Sequence, residues 1–162
     1  MHYYGEIETE MGRLRIACSP DGITMISLAE GTAEAFENSY QKLFGIQPQQ
    51  GKIPERYKQA VIKAAAGRAF DPVPIDLCGL SAFQVKVLKA LQRVPRGQVR
   101  TYSWLAGKVG RPLAARAVGN AMARNPVPFI VPCHRVVPAS GGIGNFGLGK
   151  ERQTDHRFQR QV

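Results

Sequence analysis

The residues best suited to chemistry in this chain are a cysteine and a histidine that stand side by side. Cys133 and His134 lie in the run IVPCHRVV, residues 130–137, between Pro132 and Arg135. A thiol is a nucleophile only as the thiolate, and a nearby imidazole or guanidinium favours that form. Neighbours on a regular strand point to opposite faces, so the pair can cooperate only where the backbone turns or a water molecule bridges them. The sequence therefore predicts a reactive cysteine at position 133.

The other two cysteines, Cys18 and Cys78, are predicted to be buried structural residues, the usual state of a free cysteine. Gaps of sixty and fifty-five residues between the three cysteines make neither a disulfide framework nor a zinc pattern. The chain also lacks the long apolar run of a membrane span and the charged-then-apolar start of a secreted protein. We therefore expect a cytoplasmic, nucleoid-associated protein with no metal site and no membrane partner.

A cysteine peptidase would use the same two chemical groups. In that class the histidine is usually remote in sequence, and an Asn or Asp orients it. Only His2 and His156, at opposite ends of the chain, remain for such a role. The sequence thus favours a different use of the thiol.

Positive charge is concentrated in the second half of the chain. Residues 1–80 carry 8 Lys/Arg and 10 Asp/Glu, a net charge of −2, whereas residues 81–162 carry 14 Lys/Arg and 2 Asp/Glu, a net charge of +12. No carboxylate side chain lies between Asp76 and Glu151. Solvated faces normally mix both signs, so this pattern predicts a surface that faces a polyanion, most simply nucleic acid. An anionic membrane is less favoured, because the basic residues do not lie on a strongly apolar amphipathic helix.

The first half of the chain is predicted to form a small α/β unit. Leu14, Ile16 and Cys18 alternate with other residues, and a turn at 19–22 leads to a second apolar strand, which predicts a hairpin. The remaining predicted elements are helices over 32–44 and 55–70 and an extended segment over 72–79. We place the domain boundary in that segment, which gives domains 1–78 and 79–162.

The second half is predicted to be mainly helical. Ser81 and Gln84 form a capping box ahead of an apolar stripe made of Phe83, Val87, Leu88, Leu91 and Val94. Two shorter helices over 103–109 and 114–124 flank a glycine-containing turn, which is the shape of a helix-turn-helix. Segment 125–132 is predicted to be extended. The glycine-rich segment 141–150 lacks GxGxxG and is interpreted as a lid, with Phe146 facing a pocket.

One long run carries a family resemblance. TYSWLAGKVGRPLAARAVGNAMARNPVPFIVPCHRVV, residues 101–137, resembles the methylated-DNA–protein-cysteine methyltransferases, also called 6-O-alkylguanine-DNA alkyltransferases. The match is dense from Phe83 to Asn145 and looser in the N-terminal hairpin. It implies an α+β fold: a ribonuclease H-like N-terminal sheet with helices, then a mainly helical alkyltransferase domain with a helix-turn-helix. It also implies that the partner is double-stranded DNA containing alkylated guanine. On solubility grounds alone we expect a monomer.

The resemblance assigns roles to five residues. Cys133 would accept the alkyl group from the 6-oxygen of guanine, and His134 would act on that thiol through a water molecule. Asn125 would brace the loop behind the active site. Tyr102 would sit beside the target phosphate, and Arg116 would enter the base stack after the nucleotide has flipped out.

The same resemblance implies further site positions. The DNA-binding set also includes Ala117, Gly119, Arg124 and Arg135, and the substrate pocket includes Pro128, Val136 and Phe146. No cofactor is needed, because the thioether product is stable and the protein is consumed.

The chemistry of DNA agrees with these roles. The 6-oxygen of guanine faces the major groove inside the stack, so a thiol reaches its alkyl carbon only after the base is extruded. The resemblance implies that the helix over 114–124 lies in the minor groove, whereas most helix-turn-helix proteins read the major groove. A helix rich in Ala and Gly would fit such a narrow groove. Binding should be sensitive to salt and nearly independent of sequence.

The tail departs from the family pattern. Residues 150–162 have no Glu at the spacing where the family orients its histidine, so that only Glu151 and Asp155 are available. A tyrosine is also common in the family where this chain has Phe146. Two other hypotheses stay open: a lesion-binding protein without transfer activity, which would normally carry Trp in place of Cys133, and a helix-turn-helix regulator, which would leave the PCHR run unexplained.

Overall fold

A computed structural model describes residues 1–95 and 97–131 together with the backbone of Val136–Val137. The chain divides into two compact units, Met1–Leu80 and Ser81–Val162, called here unit 1 and unit 2. Among the described residues the fold is α+β, as predicted, with five helices and a four-stranded sheet. The predicted roles of Cys133, His134, Arg135 and Phe146, and of the tail carboxylates, fall outside the described residues.

Unit 1 is built on that sheet, whose strand order is β3-β2-β1-β4. The strands are β1 Tyr3–Thr9, β2 Gly12–Ser19, β3 Gly22–Leu28 and β4 Gln49–Gln50. The predicted hairpin is confirmed as β2 and β3, which pair antiparallel. Strand β1 was not predicted from the sequence, because its glutamates weaken the strand signal. They are neutralised across the ladder, where Glu6 lies opposite Arg15 and Glu8 opposite Arg13.

Both faces of this sheet are covered, so the central strand β2 is buried at successive positions rather than alternate ones. Helix α1, Ala33–Phe44, packs on one face, where Phe36 and Tyr40 join Tyr4 and Ala17 in a hydrophobic cluster. The Tyr40 hydroxyl is buried in that cluster and hydrogen-bonds to Thr24 Oγ1 and to His2 Nδ1, each at 2.7 Å.

Helix α2, Glu55–Ala65, ends five residues earlier than the sequence predicted. The reason is Gly67, whose φ of 71° reverses the chain. The Arg68 N–H then donates back to the Lys63 carbonyl at 2.9 Å. The predicted helix over 55–70 is therefore too long.

The two structural cysteines differ from each other. Cys18 is buried, as predicted, but Cys78 is exposed, so the prediction of a buried residue is wrong there. Its segment is held instead by Asp76, whose carboxylate accepts from Cys78 N at 2.9 Å and from Ser19 Oγ at 2.5 Å. Desolvation and the Asp76 carboxylate raise the pKa of the Cys78 thiol to about 11. This thiol is therefore a poor nucleophile at neutral pH.

Unit 2 opens with helix α3, Ala82–Gln92, and the predicted capping box is confirmed. Ser81 Oγ accepts from Gln84 N, and Gln84 Oε1 accepts from Ser81 N. The predicted apolar stripe is buried at Val87, Leu88, Leu91 and Val94. Local pattern alone thus defines this helix and the face that it buries.

The other elements of unit 2 are short: β5 Arg100–Thr101, α4 Tyr102–Lys108, α5 Ala115–Ala123 and β6 Val136–Val137. Both predicted short helices are present, within a residue or two of their expected ends. Helices α3, α4 and α5 all contact one another. None of the helices within the described ranges is long and apolar enough to cross a bilayer.

Candidate nucleic-acid interface and active-site loop

Helix α5 has one buried face and one exposed basic face. Val118, Ala121 and Met122 are buried. Arg116, Ala117, Asn120 and Arg124 are exposed, and their spacing places them along one side of the helix. The structure thus presents the predicted DNA-binding residues Arg116, Ala117 and Arg124 together.

Tyr102 lies against the same helix. Thr101 caps α4 through Oγ1, which accepts from Trp104 N at 3.0 Å, and this fixes the start of the helix at Tyr102. The Tyr102 ring is half-buried over Gly119, where an added Cβ would lie 3.5 Å from Tyr102 Cε2. Arg116 stands one turn before Gly119 on α5. The structure therefore brings three predicted site residues, Tyr102, Gly119 and Arg116, to one place.

Sequence reasoning missed a stack of cations on Trp104. The Arg100 guanidinium lies 5.2 Å from the centre of the indole ring and the Lys108 ammonium 5.4 Å from it, within cation–π range. The spacing of four residues on either side of the tryptophan was the available signal. This stack anchors two basic side chains beside α4.

Asn125 holds together a buried turn that leads toward Cys133. Its Oδ1 accepts from Val127 N at 3.0 Å and its Nδ2 donates to the Val131 carbonyl at 3.0 Å. The Val131 N–H in turn donates to the Val127 carbonyl at 3.0 Å. Residues 125–131 are all buried, including Pro128. The prediction of an extended segment is therefore wrong over 125–131, because the asparagine side chain supplies partners that close the backbone into a turn.

Phe129 reverses the chain within this turn. Its φ is 72°, and it is the one non-glycine residue with a positive φ in the described part of the chain. An aromatic residue in that conformation is strained by about 1–3 kcal/mol. The strain is retained because the ring is buried and the asparagine-centred hydrogen bonds fix the backbone around it.

This strain predicts an unusual order of stability. Phe129→Ala and Phe129→Gly both lose the buried ring, at about 3–5 kcal/mol. We expect the glycine variant to be the more stable of the two by about 1 kcal/mol, because glycine adopts a positive φ freely. Denaturant titration of both variants measures the difference. Ile130→Ala and Ile130→Gly are the matched control pair, because Ile130 is the adjacent buried residue and has no positive φ. At this position we expect the usual order, in which the glycine variant is the less stable. A glycine variant less stable than the alanine variant at position 129 would contradict the strain.

Strand β6 pairs parallel with β5. Val136 lies opposite Arg100 and Val137 opposite Thr101, the residue before Tyr102. We call residues 125–131, held by the Asn125 side chain, the asparagine-braced turn. In the sequence, Cys133 and His134 lie between this turn and strand β6, which pairs beside the start of α4.

Comparison with known proteins decides the family. A family model described as the DNA binding domain of 6-O-methylguanine DNA methyltransferase matches residues 82–157. A methylated-DNA–protein-cysteine methyltransferase of Mycobacterium leprae is 35% identical over 147 residues, covering 91% of this chain and 85% of that protein. The chain belongs to the methylated-DNA–protein-cysteine methyltransferase family. The resemblance seen in residues 101–137 is thereby confirmed.

Solved structures of methyltransferases agree with this membership. The crystal structure of a Mycobacterium tuberculosis O6-methylguanine methyltransferase is 33% identical, has a TM-score of 0.79, and covers 99% of this chain and 93% of that one. Mycobacterium tuberculosis OGT in complex with DNA is 31% identical, with a TM-score of 0.76 and coverages of 98% and 94%. The described part of this chain thus shares the mixed α+β architecture of these solved structures.

Proposed function

We propose that this chain repairs DNA by moving an alkyl group from the 6-oxygen of guanine to Cys133. The thiolate sulfur forms a bond to the alkyl carbon, the bond from that carbon to oxygen breaks, and its electron pair remains on the guanine. His134 takes the thiol proton through a water molecule and helps to return a proton to the guanine. The step balances without a cofactor and leaves a stable thioether, so one molecule repairs one lesion.

The observation that carries the proposal is the asparagine-braced turn in a chain of this family. Residues 125–131 are buried and hydrogen-bonded, and Cys133 follows Val131 by two residues. The backbone that carries a nucleophile must be held in a fixed position, because small displacements of the reacting atoms lower the rate by large factors. Asn125 is therefore a positioning residue, and the predicted pocket residues Pro128 and Val136 belong to the segments on either side of the Cys133–His134 pair.

The basic face of α5 is the proposed DNA contact. With α4 and the turn between them it would form the helix-turn-helix, and Ala117 and Gly119 would let the α5 backbone approach the floor of the minor groove. Arg116 and Arg124 would contact DNA from the same face, with Arg135 adding charge near the thiol. Double-stranded DNA with alkylated guanine is then the substrate, bound with little sequence preference.

Tyr102 and Arg116 are proposed to stabilise the DNA after the target nucleotide has flipped out. Both stand beside Gly119: the Tyr102 ring lies 3.5 Å from where a Cβ on Gly119 would be, and Arg116 is one turn away on α5. Tyr102 would meet the phosphate of the target nucleotide, and Arg116 would fill the space that the base leaves, offsetting part of the unstacking cost.

Arg116→Ala tests that assignment. We expect transfer from a duplex to slow by about tenfold or more, and transfer from a single-stranded oligonucleotide to change much less, because an unpaired base needs no extrusion. Single-turnover rates on both substrates measure the ratio. Arg124→Ala is the matched control, an exposed arginine on the same face whose removal should affect both substrates alike. Equal decreases for Arg116→Ala on duplex and single strand would reduce Arg116 to an ordinary phosphate contact.

The remaining assignments concern unit 1 and the assembly. We infer that unit 1 is a ribonuclease H-like structural domain and that unit 2 carries the chemistry. The protein would act as a monomer in the cytoplasm, associated with the nucleoid. Sedimentation of the protein alone and on a short duplex tests the monomer, and a stable dimer in either state would contradict it.

The function itself is tested by intact mass after incubation with a duplex that contains one 6-O-methylguanine. We expect the protein to gain the mass of one methyl group, with no gain from the matched duplex that contains unmodified guanine. Tight binding to the lesion without any mass gain would overturn the proposal in favour of a lesion-binding protein.

A further inference from the structure

A second basic surface of unit 2 lies apart from the exposed face of α5. It is a groove of about 460 Å³ lined along α3 by Lys86, Lys89 and Arg93 and at the end of α4 by Lys108. Among the described residues, none from α5 lines it. We call these four residues and the cleft between them the basic groove.

The basic groove has no counter-ions in its own stretch of chain. No carboxylate occurs between Asp76 and Glu151, and every ion pair among the described residues lies in unit 1. Lys86, Lys89 and Arg93 are spaced three and four residues apart on α3, so like charges are neighbours on one helix face, which destabilises an isolated helix. An ordinary solvated helix face avoids this by interleaving acids.

Favourable interaction with helix dipoles explains only part of this arrangement. Lys89 lies in the last turn of α3, Arg93 at its C-cap, and Lys108 in the last turn of α4, where positive charge is favourable. Lys86 lies in the middle of α3, beyond the reach of that effect. The groove is also concave, whereas side chains that only solvate a helix cover a convex face.

The dimensions suit the backbone of nucleic acid. Lys86 to Arg93 spans seven residues of α3, about 10 Å at the helical rise. One strand of a duplex carries a phosphate for about every 3.4 Å along its axis, so a row of this length, with its long side chains, can reach about two to three phosphates. Lys108 stands across the cleft, and its ammonium also lies over the Trp104 ring.

We propose that the basic groove binds the phosphate backbone of duplex DNA outside the segment held by α5. The inference rests on the proposed function, because it extends the contact that α5 makes with the same substrate. Its role is to add affinity that does not depend on sequence or lesion.

The test is the salt dependence of binding by the full chain. The triple variant Lys86→Gln, Lys89→Gln, Arg93→Gln is compared with the control triple Lys42→Gln, Lys52→Gln, Arg68→Gln, which removes the same charges from exposed positions of unit 1. Affinity for an unmodified duplex is measured from low to high salt, and thermal melting verifies that both variants fold. A groove variant that fails to fold is replaced by Lys86→Gln alone, for which a proportionally smaller change is expected.

We expect the groove triple to lower the slope of log affinity against log salt by about two to three, at about 0.9 for each phosphate that the groove no longer neutralises. The control triple should lower it by less than about one. Equal changes in the two triples would overturn the proposal, because they would reflect net charge alone. Methyl transfer by the unchanged protein is measured in parallel. Absence of transfer would contradict the proposed function, whereas equal salt slopes of the two triples would contradict the basic groove.

Discussion

Replacing Cys133 with alanine is expected to abolish methyl transfer and to leave affinity for duplex DNA within about twofold, because phosphate contacts supply most of the binding. The variant removes the sulfur of Cys133, which follows Val131 by two residues in the sequence. It leaves the basic face of α5 and the Tyr102 contact with Gly119 unchanged. Intact mass measures transfer, and fluorescence anisotropy of a labelled duplex measures binding.

Cys78→Ala is the matched control, since it removes an exposed thiol without touching the proposed site. Its thiol has a pKa of about 11, so only about one molecule in ten thousand is thiolate at neutral pH. We expect this variant to transfer methyl at the rate of the unchanged protein. Transfer that survives Cys133→Ala and disappears in Cys78→Ala would contradict the account. Because the raised pKa suppresses the thiolate, alkylation of Cys78 by a general thiol reagent should rise about tenfold per pH unit from neutral toward that pKa.

Replacing Asn125 with alanine is expected to lower the free energy of unfolding by about 2–4 kcal/mol. The variant leaves the Val127 N–H and the Val131 carbonyl buried without their side-chain partners. We also expect transfer to slow at temperatures where the variant is still folded, because the turn that precedes Cys133 is then without both of its cross-links. Chemical denaturation measures the free energy of unfolding, and intact mass under single-turnover conditions measures the rate of methyl transfer.

Asn120→Ala provides the control for stability. Asn120 is exposed on α5, and the change should alter the free energy of unfolding by less than about 0.5 kcal/mol. An Asn125→Ala variant that is as stable as Asn120→Ala would show that the turn does not depend on this side chain. A destabilised variant that keeps the full transfer rate would remove Asn125 from the positioning machinery.

The elements of unit 2 that the sequence predicted correctly are those that local pattern determines. Helix α3 carries its own capping box at Ser81 and Gln84 and its own apolar stripe. Helix α5, predicted over 114–124, is observed as Ala115–Ala123. These features need no knowledge of distant contacts, so periodicity and capping were sufficient.

The incorrect predictions depended on contacts that a linear pattern does not contain. The three prolines of segment 125–132 indicate an extended chain, but the Asn125 side chain and the left-handed conformation of Phe129 close it into a turn. A free cysteine such as Cys78 is usually buried, but hydrogen bonds of Asp76 with Ser19 and with the Cys78 N–H fix this segment at the surface. The acidic strand β1 is stabilised by arginines on its neighbour, which only the pairing register reveals.

The site itself was predicted from family resemblance more than from residue chemistry. The charge asymmetry and the Cys133–His134 pair indicated a polyanion and a nucleophile, but neither assigned a role to Arg116 or Tyr102. The structure adds that Tyr102 packs on Gly119 one turn from Arg116, and that β6 returns the chain to β5 just before Tyr102. The basic groove was invisible in sequence, because its residues come from α3 and from the end of α4.

The central claim is that Cys133 accepts one alkyl group, once. It is tested most directly by titrating the protein with excess 6-O-methylguanine duplex, counting the lesions repaired, and mapping the methyl group by peptide mass. We predict a plateau at one lesion per protein molecule, with all of the methyl on the peptide that contains Cys133. Continued turnover beyond one equivalent, or methyl recovered on Cys18 or Cys78, would contradict it.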